Sequence, residues 1–348
     1  MKFPKIPRLV RRVGIDLGSS RVRIWVDAGG LIVDEPACIA IENASQRVVA
    51  VGTDAEEMEG RVGEHISIHY PVIGGELYDG TIGLALLKVL LQRELKRVPL
   101  ISPVIMASVP SLSTQTARQA MTELMYDLGA GEVYTISQPL AASIGSGVPI
   151  ADASGSFFLH MGAGVVEGVV ISLGSIVSAV DTKYAGMHVL ERLQFSLKKE
   201  HGIVVSRSEA SKLLKSVVSV TGSEGAQSLV AGQDVQHGNP KEVAVKASDF
   251  LSEITLIADR YLNVLTRLLS KLPPELTSDV IDKGLLLSGG LAQLTDFTSF
   301  ATTRLGVPVS VVENSDLVVI HGISTALEHL DLFRESLGYS QEARGVGV

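Results

Sequence analysis

The 348-residue chain has a single cysteine, Cys38, so it has no internal disulfide and no cysteine-held metal cluster; a reducing compartment suits it. It also lacks a long apolar run. The longest, Ile82 to Leu91, is broken by Gly83 and Lys88 and falls well short of the ~20 residues a membrane-spanning helix needs. An excess of positive charge is missing too. Thirty Lys+Arg against 38 Asp+Glu leave a formal charge of −8, which argues against nucleic acid as a partner through a phosphate-neutralising surface. What is present is 46% hydrophobic and 20% charged residues, a globular balance, in a chain long enough for two domains with a core each.

The N-terminus departs from the acidic average. Residues 1–12 read MKFPKIPRLVRR, with five cations (Lys2, Lys5, Arg8, Arg11, Arg12), no acid, and apolar Phe3, Ile6, Leu9 and Val10. There is no signal-peptide core or cleavage site. Such a basic, apolar leader suits the surface of an anionic membrane, whereas Pro4 and Pro7 oppose a long helix there. A frayed basic leader is the simpler alternative.

Two strand–glycine–strand units stand out. A strand from Arg12 to Asp16 runs into Gly18-Ser19-Ser20 and a second strand from Val22 to Val26. About 145 residues later Phe157-Phe158-Leu159 leads into Met161-Gly162-Ala163-Gly164, with a strand from Val165 to Ile171, a repeat of the same device. Alternating strand and helix signals follow each unit, so each half reads as α/β. Pro103–Pro110 is a buried strand, and Ser111 or Ser113 caps a helix through Leu128. Glu132–Ile136 is a strand that ends at Gln138-Pro139, the first turn of the next helix. Further helices are expected over Arg207–Val220, over Ala247–Leu272 (stopped by Pro273-Pro274), and over Ala292–Leu305, with strands at Lys283–Ser288 and Val307–Val312.

The ordered set IDLGSS (Ile15–Ser20), PVIMASVP (Pro103–Pro110), ISQPLAASIGSG (Ile136–Gly147), GAGVVEGVVISLG (Gly162–Gly174) and LLLSGGLAQL (Leu285–Leu294) resembles the actin superfamily, and MreB most closely. DEPACIAI from Asp34 and AVGTDAEEM from Ala50 support this, and the likeness runs from about Val13 to about Leu330. It implies an α/β, actin-like (ribonuclease H-like) duplicated fold, two domains around a nucleotide cleft. Domain I would span 13–150 with a small subdomain about 32–65. Domain II would span 151–335 with a small subdomain about 187–245, and a tail would follow at 336–348. The short Glu35–Arg61 segment suits the small MreB-like subdomain.

The same resemblance implies ATP as cofactor and filaments as the working form, with a role in cell shape at the inner face of the cell membrane. It also admits a co-assembling paralogue and scaffold proteins of wall synthesis or division as partners. Glycine-rich turns suit phosphate because backbone N–H groups reach its oxygens where side chains do not intrude. Gly18, Ser19 and Ser20 would do this from the first half, and Gly162, Ala163 and Gly164 from the second. Gly289 and Gly290 would cradle the adenosine. Asp16 is the carboxylate suited to hold Mg²⁺. Gln138 falls where this superfamily orients the attacking water, and an amide positions water without taking its proton.

Departures from the family pattern gather around catalysis. His160 stands where the second phosphate loop usually starts with aspartate, Val165 and Val166 replace hydroxyl residues, and Arg21 and Val22 replace asparagine and threonine. Ala185-Gly186-Met187 replaces a Gly-Gly-Asp pattern, and Lys212 and Leu214 fall where a glutamate and a lysine flank the adenosine. With one carboxylate instead of two, Mg²⁺ would be held weakly and hydrolysis would be slow or absent. Arg21 either brings a guanidinium to the phosphates or, with Arg23, is a solvated edge-strand charge. Other readings on the same fold are a sugar-kinase-like enzyme, a chaperone ATPase, and a non-polymerising scaffold of division or pilus assembly. A kinase needs a catalytic aspartate base that finds no candidate here, and a chaperone needs a substrate domain for which about 18 residues after Leu330 leave no room.

Overall fold

A computed structural model describes residues 10–27, 29–95, 100–222 and 227–333. The first half opens with β1 (Val10–Leu17), β2 (Arg21–Val26) and β3 (Gly30–Pro36), an antiparallel meander. Next come β4 (Ile39–Glu42), β5 (Arg47–Val51), α1 (Thr53–Met58) and β6 (Ile66–His69), which form a separate small sheet in the order β5-β4-β6. A ribbon of β7 (Val72–Ile73) and β8 (Glu76–Leu77) turns at Gly74-Gly75. Then α2 (Gly80–Leu95), β9 (Leu100–Val109), α3 (Gln115–Asp127), β10 (Glu132–Ser137) and α4 (Gln138–Gly145) complete the half. The main sheet runs β10-β9-β1-β2-β3, with β9 and β10 joined in parallel.

The second half repeats that plan. The meander is β11 (Ser156–Met161), β12 (Val166–Ser172) and β13 (Ser175–Thr182). After α5 (Gly186–Ser196), a small sheet of β14 (Ile203–Val204), β15 (Gln227–Asp234) and β16 (Pro240–Lys246) packs with α6 (Arg207–Ser216). The half then runs through α7 (Leu251–Leu269), α8 (Pro274–Lys283), β17 (Leu285–Ser288), α9 (Phe297–Leu305), β18 (Val309–Val311) and α10 (Val318–Glu328). Its main sheet runs β13-β12-β11-β17-β18, the first order repeated, as the doubled glycine turns predict.

Strand period two explains where each face goes. Val13, Ile15 and Leu17 lie in the core of the first half among Leu86, Leu87 and Leu90 of α2. Gly14 and Asp16 take the other face, and Gly14 lies against Ile323 of α10. Between the sheets lies a shared core. It joins Trp25, Met106 and Tyr134 of the first sheet with Phe158, Val169 and Ile171 of the second, and with Ile320, Ile323 and Leu327 of α10. There α4 and α10 cross with their backbones in contact. A methyl group at Gly322 would stand 1.8 Å from the Ala141 carbonyl oxygen, and one at Gly145 2.0 Å from that of Val318.

Several expectations change. The cap of α3 is Thr114, extended at φ −64°, ψ 159°, whose hydroxyl accepts from the Ala117 amide; Ser111 is held elsewhere. Residues 1–9 of the leader lie outside the described residues, but Val10–Arg12 are already part of β1, because pairing with β9 extends the strand. β3 runs to Pro36 in the main sheet, so the small sheet starts at Ile39 instead of near residue 32. Pro273 ends no long helix alone: α7 stops at Leu269 and Pro273 caps α8. The helix expected from Ala292 begins at Phe297, because Asp296 is left-handed at φ 64°. α6 stops at Ser216, and Val217, Val218 and Val220 turn into the core. The tail at 336–348 also lies outside the described residues.

Candidate functional site

Each meander ends its first strand in a tight turn, and the two turns face each other across a cavity of about 300 Å³. Asp16, Gly18, Ser19, Ser20, Gln138, Gly162, Ala163, Gly164, Gly289 and Gly290 all line it. The Gly18 amide donates to the Arg21 carbonyl at 2.9 Å and the Gly162 amide to that of Val165 at 3.0 Å. Those two glycines therefore close the turns. The central amides, Ser19-Ser20 and Ala163-Gly164, take no part in the closing bonds and remain the ones suited to an anion.

The turns are braced against one another. The Gly75 amide donates to the Ser19 hydroxyl at 3.0 Å, and a methyl group at Gly164 would lie 2.1 Å from that same oxygen. Gly164 is thus required by the approach of Ser19 and Gly75. Gly289, at φ +88°, turns the chain out of β17 while its amide donates to the Ser315 carbonyl at 2.7 Å. On the other side of the cavity Met187, Leu190, Leu214, Leu291 and Leu294 form an apolar slot rimmed by Ser211, Lys215 and Gln293. Lys212 turns away and pairs with Glu209, so Lys215, one helical turn on, is the lysine of this wall.

The buried polar floor differs most from expectation. Register pairs Asp16 of β1 with Arg23 of β2, and Arg23 with Asp34 of β3, so three charges lie side by side across three strands. Arg23 is not a solvated edge charge; it is 8% exposed and lines the cavity. Its ion pairs reach Asp34 at 3.1 Å, Asp16 at 3.7 Å and Asp316 at 3.8 Å. Arg21, by contrast, is held by Asp34, with Nε 2.7 Å from the carboxylate and a terminal nitrogen donating to the Asp34 carbonyl at 2.6 Å. Asp16 accepts from the Ser108 hydroxyl at 2.6 Å, and burial pushes its pKa up against the opposing pull of Arg23.

His160 sits on β11 with Nδ1 3.0 Å from the Ser288 hydroxyl, and burial, followed by the Arg23 charge, lowers its pKa to about 4. It is a neutral imidazole at physiological pH. Gln138 starts α4, buried on the cavity wall, where its amide can hold a water but cannot deprotonate it.

Mg²⁺ does not fit these residues. It prefers several oxygen ligands in an octahedron, and among the described residues no group of three His, Cys, Asp or Glu is placed to hold a metal. Asp16 is committed to the Ser108 hydroxyl and to Arg23, a guanidinium it shares with Asp34 and Asp316.

Arg23, Asp34, Asp316, Ser108 and Lys215 were not marked as site residues by the motifs. The alternation from Arg21 was the available signal: once the Asp16-to-Arg23 hairpin is in register, period two places Arg23 beside Asp16. Asp316 comes from a loop some 300 residues from Asp16, and no local pattern announces it.

Two repeated α/β halves joined through closely packed helices, with a glycine turn from each facing into one cleft, define the actin-like fold. Comparison with known proteins is consistent. The model of the family described as MreB/Mbl protein matches residues 10–335. The cell shape-determining protein MreB of Escherichia coli K12 is 29% identical over 342 residues, covering 95% of this chain and 96% of that one. Among solved structures, MreB5 of Spiroplasma citri bound to AMPPNP superposes with a TM-score of 0.89 at 23% identity, over 94% of this chain and 99% of that one. A MamK double helical filament gives 0.75 at 16% identity, over 91% and 99%. The chain belongs to the MreB/Mbl family.

Proposed function

We propose that this chain is a cytoskeletal protein that binds ATP in the cleft, polymerises into filaments, and works in cell shape at the inner face of the membrane. The observation that carries it is the pair of facing turns, each with two uncommitted central amides, in a cavity whose apolar lining residues suit a purine. The similar MreB5 is solved with AMPPNP. Binding would rest on those amides and on the slot.

Polymerisation is supported by the family and by the likeness to a filament-forming protein. Head-to-tail contacts between unlike ends of a molecule do not close, so they propagate. Purified protein is expected to give filaments with a subunit repeat of roughly 50 Å in negative-stain microscopy, the span of one molecule of this size. A strictly monomeric sedimentation profile, at high concentration with nucleotide and lipid present, would remove this reading. A paralogue and scaffold proteins of the wall-building machinery are the further partners proposed.

Chemistry in the cleft should be slow. Gln138 takes no proton, neutral His160 replaces a carboxylate, and Val165 and Val166 are buried and offer no hydroxyl. Phosphate release is expected about tenfold or more below a typical MreB, about 1.4 kcal/mol of missing transition-state stabilisation. The triple variant H160D/V165T/V166T should raise it. Brisk turnover by the wild-type chain would show that Gln138, Asp16 and the arginines suffice.

No helix among the described residues is long and apolar enough to cross a membrane. Attachment is assigned to the leader, and since β1 begins at Val10, to residues 1–9, with Lys2, Lys5 and Arg8 and the apolar Phe3, Ile6 and Leu9. Each cation adds about 1 kcal/mol near an anionic surface. Co-sedimentation with anionic liposomes is expected, falling as salt rises and lost on deletion of residues 1–9. Equal binding by the truncated chain would clear the leader of this role.

A further inference from the structure

Arg23 presents the largest unexplained polar group of the cleft. A guanidinium carries five N–H donors in a fixed fork that matches phosphate oxygens. Among the described residues Arg23 meets three carboxylates as ion pairs, two of them at 3.7 and 3.8 Å, yet makes no hydrogen bond of good geometry. Its buried Nε is the atom 3.1 Å from Asp34, in an ion pair without hydrogen-bond geometry, so the two terminal nitrogens are the donors with room for a further acceptor. Buried donors in native structures are nearly always satisfied, so donors left open here point to an acceptor that arrives with the ligand. Arg21, two residues earlier on the same strand face, shows the contrast, since its Nε and a terminal nitrogen are both bonded to Asp34.

The place matters as much as the donors. Arg23 lines the same cavity as both glycine turns, in register with Asp16 and beside His160. Those are the positions where a divalent cation finds no second carboxylate. A guanidinium already stands there, ion-paired with Asp16, Asp34 and Asp316, and it occupies the place beside these carboxylates that a mobile cation would take. We propose that Arg23 is the resident counter-ion for the nucleotide's phosphates, so that this chain binds a nucleoside di- or triphosphate without a divalent cation. The inference rests on the nucleotide-binding reading of the cleft and assigns the charge balance within it. Asp316, half-exposed at the cavity edge, and Asp34 then hold the guanidinium in place until the anion displaces the longer ion pairs.

Calorimetric titration of the full chain with ADP, once in Mg²⁺ and once in EDTA, with adenosine as the phosphate-free control, tests this. Wild-type affinity for ADP should differ by less than about threefold between the two buffers, whereas Arg23→Leu should weaken ADP by about tenfold or more in EDTA. Adenosine binding should be the same in both proteins, which a variant with a collapsed cleft would not show. If Arg23→Leu fails to fold, Arg23→Lys, which keeps the charge but loses the fork, should bind ADP in EDTA more weakly than wild type and still without help from Mg²⁺. The proposal is overturned by Mg²⁺ tightening wild-type ADP binding about tenfold, or by a folded Arg23→Leu that binds ADP as wild type does in EDTA. Failure of wild type to bind either ADP or adenosine overturns the nucleotide reading itself.

Discussion

Replacing Gly322 with alanine is expected to destabilise the protein by about 3 kcal/mol or more, although glycine-to-alanine inside a helix ordinarily helps by up to about 1 kcal/mol. The reversal comes from the crossing of α4 and α10. The added methyl would sit 1.8 Å from the Ala141 carbonyl oxygen, an atom of backbone that cannot rotate away. Relief requires the two helices to part, and with them the shared core of Trp25, Phe158, Ile320 and Ile323 that joins the halves. Thermal unfolding is the measurement, with a fall in Tm of about 5 °C or more for a chain this long. Glu328→Ala, exposed at the end of the same helix, should change little. A Gly322→Ala protein more stable than wild type would mean that the helices pass farther apart than this. Because Gln138 opens α4, forced separation should also loosen the cleft wall.

The duplicated architecture was legible because it rests on local signals. Period-two strands around Gly18 and around Gly162–Gly164 carry their own turns, and the repeat spacing implies two like sheets. All ten residues singled out from the motifs line one cavity for the same reason: each sits at the end of a core strand or the start of a helix, where the chain leaves the sheet. Roles within the cavity were less legible. Arg23 looked like a surface charge because its neighbours on the strand gave no sign of Asp34 on the adjacent strand β3 or of Asp316. Gly164 was marked for its amide, whereas its lack of a side chain is also required by Ser19 and Gly75, which tertiary structure alone brings together. Helix ends failed where caps competed: Ser111 was a plausible cap for α3, but Glu167 holds it.

Glu167 itself leads to the second large effect, a dependence of stability on pH. It is the second residue of β12, fully buried, and one carboxylate oxygen accepts from both the amide, at 2.6 Å, and the hydroxyl of Ser111 on the first half. The other oxygen is buried without a partner. Burial raises its pKa to about 7, outweighing the two Ser111 hydrogen bonds that favour the ionised form. A carboxyl whose folded pKa exceeds its unfolded value near 4.5 binds its proton more tightly in the folded state. Between these pKa values the unfolded chain holds fewer protons than the folded one, so stability falls as pH rises through that window and levels off above about 7. Over the full window the shift corresponds to about 3 kcal/mol.

Glu167→Gln keeps an oxygen to accept from Ser111 and removes the titration. Its unfolding free energy, measured in urea from pH 5 to pH 8, should lack the decline that wild type shows, so the variant gains on wild type as pH rises. The effect belongs to the junction between the halves, because Ser111 follows β9 and Glu167 belongs to β12. Ser111→Ala, which keeps the amide donor and loses the hydroxyl, should deepen the wild-type decline by raising the pKa of Glu167 further. Parallel pH profiles for wild type and Glu167→Gln would show that the carboxyl is solvated, and that water reaches the seam between the two sheets.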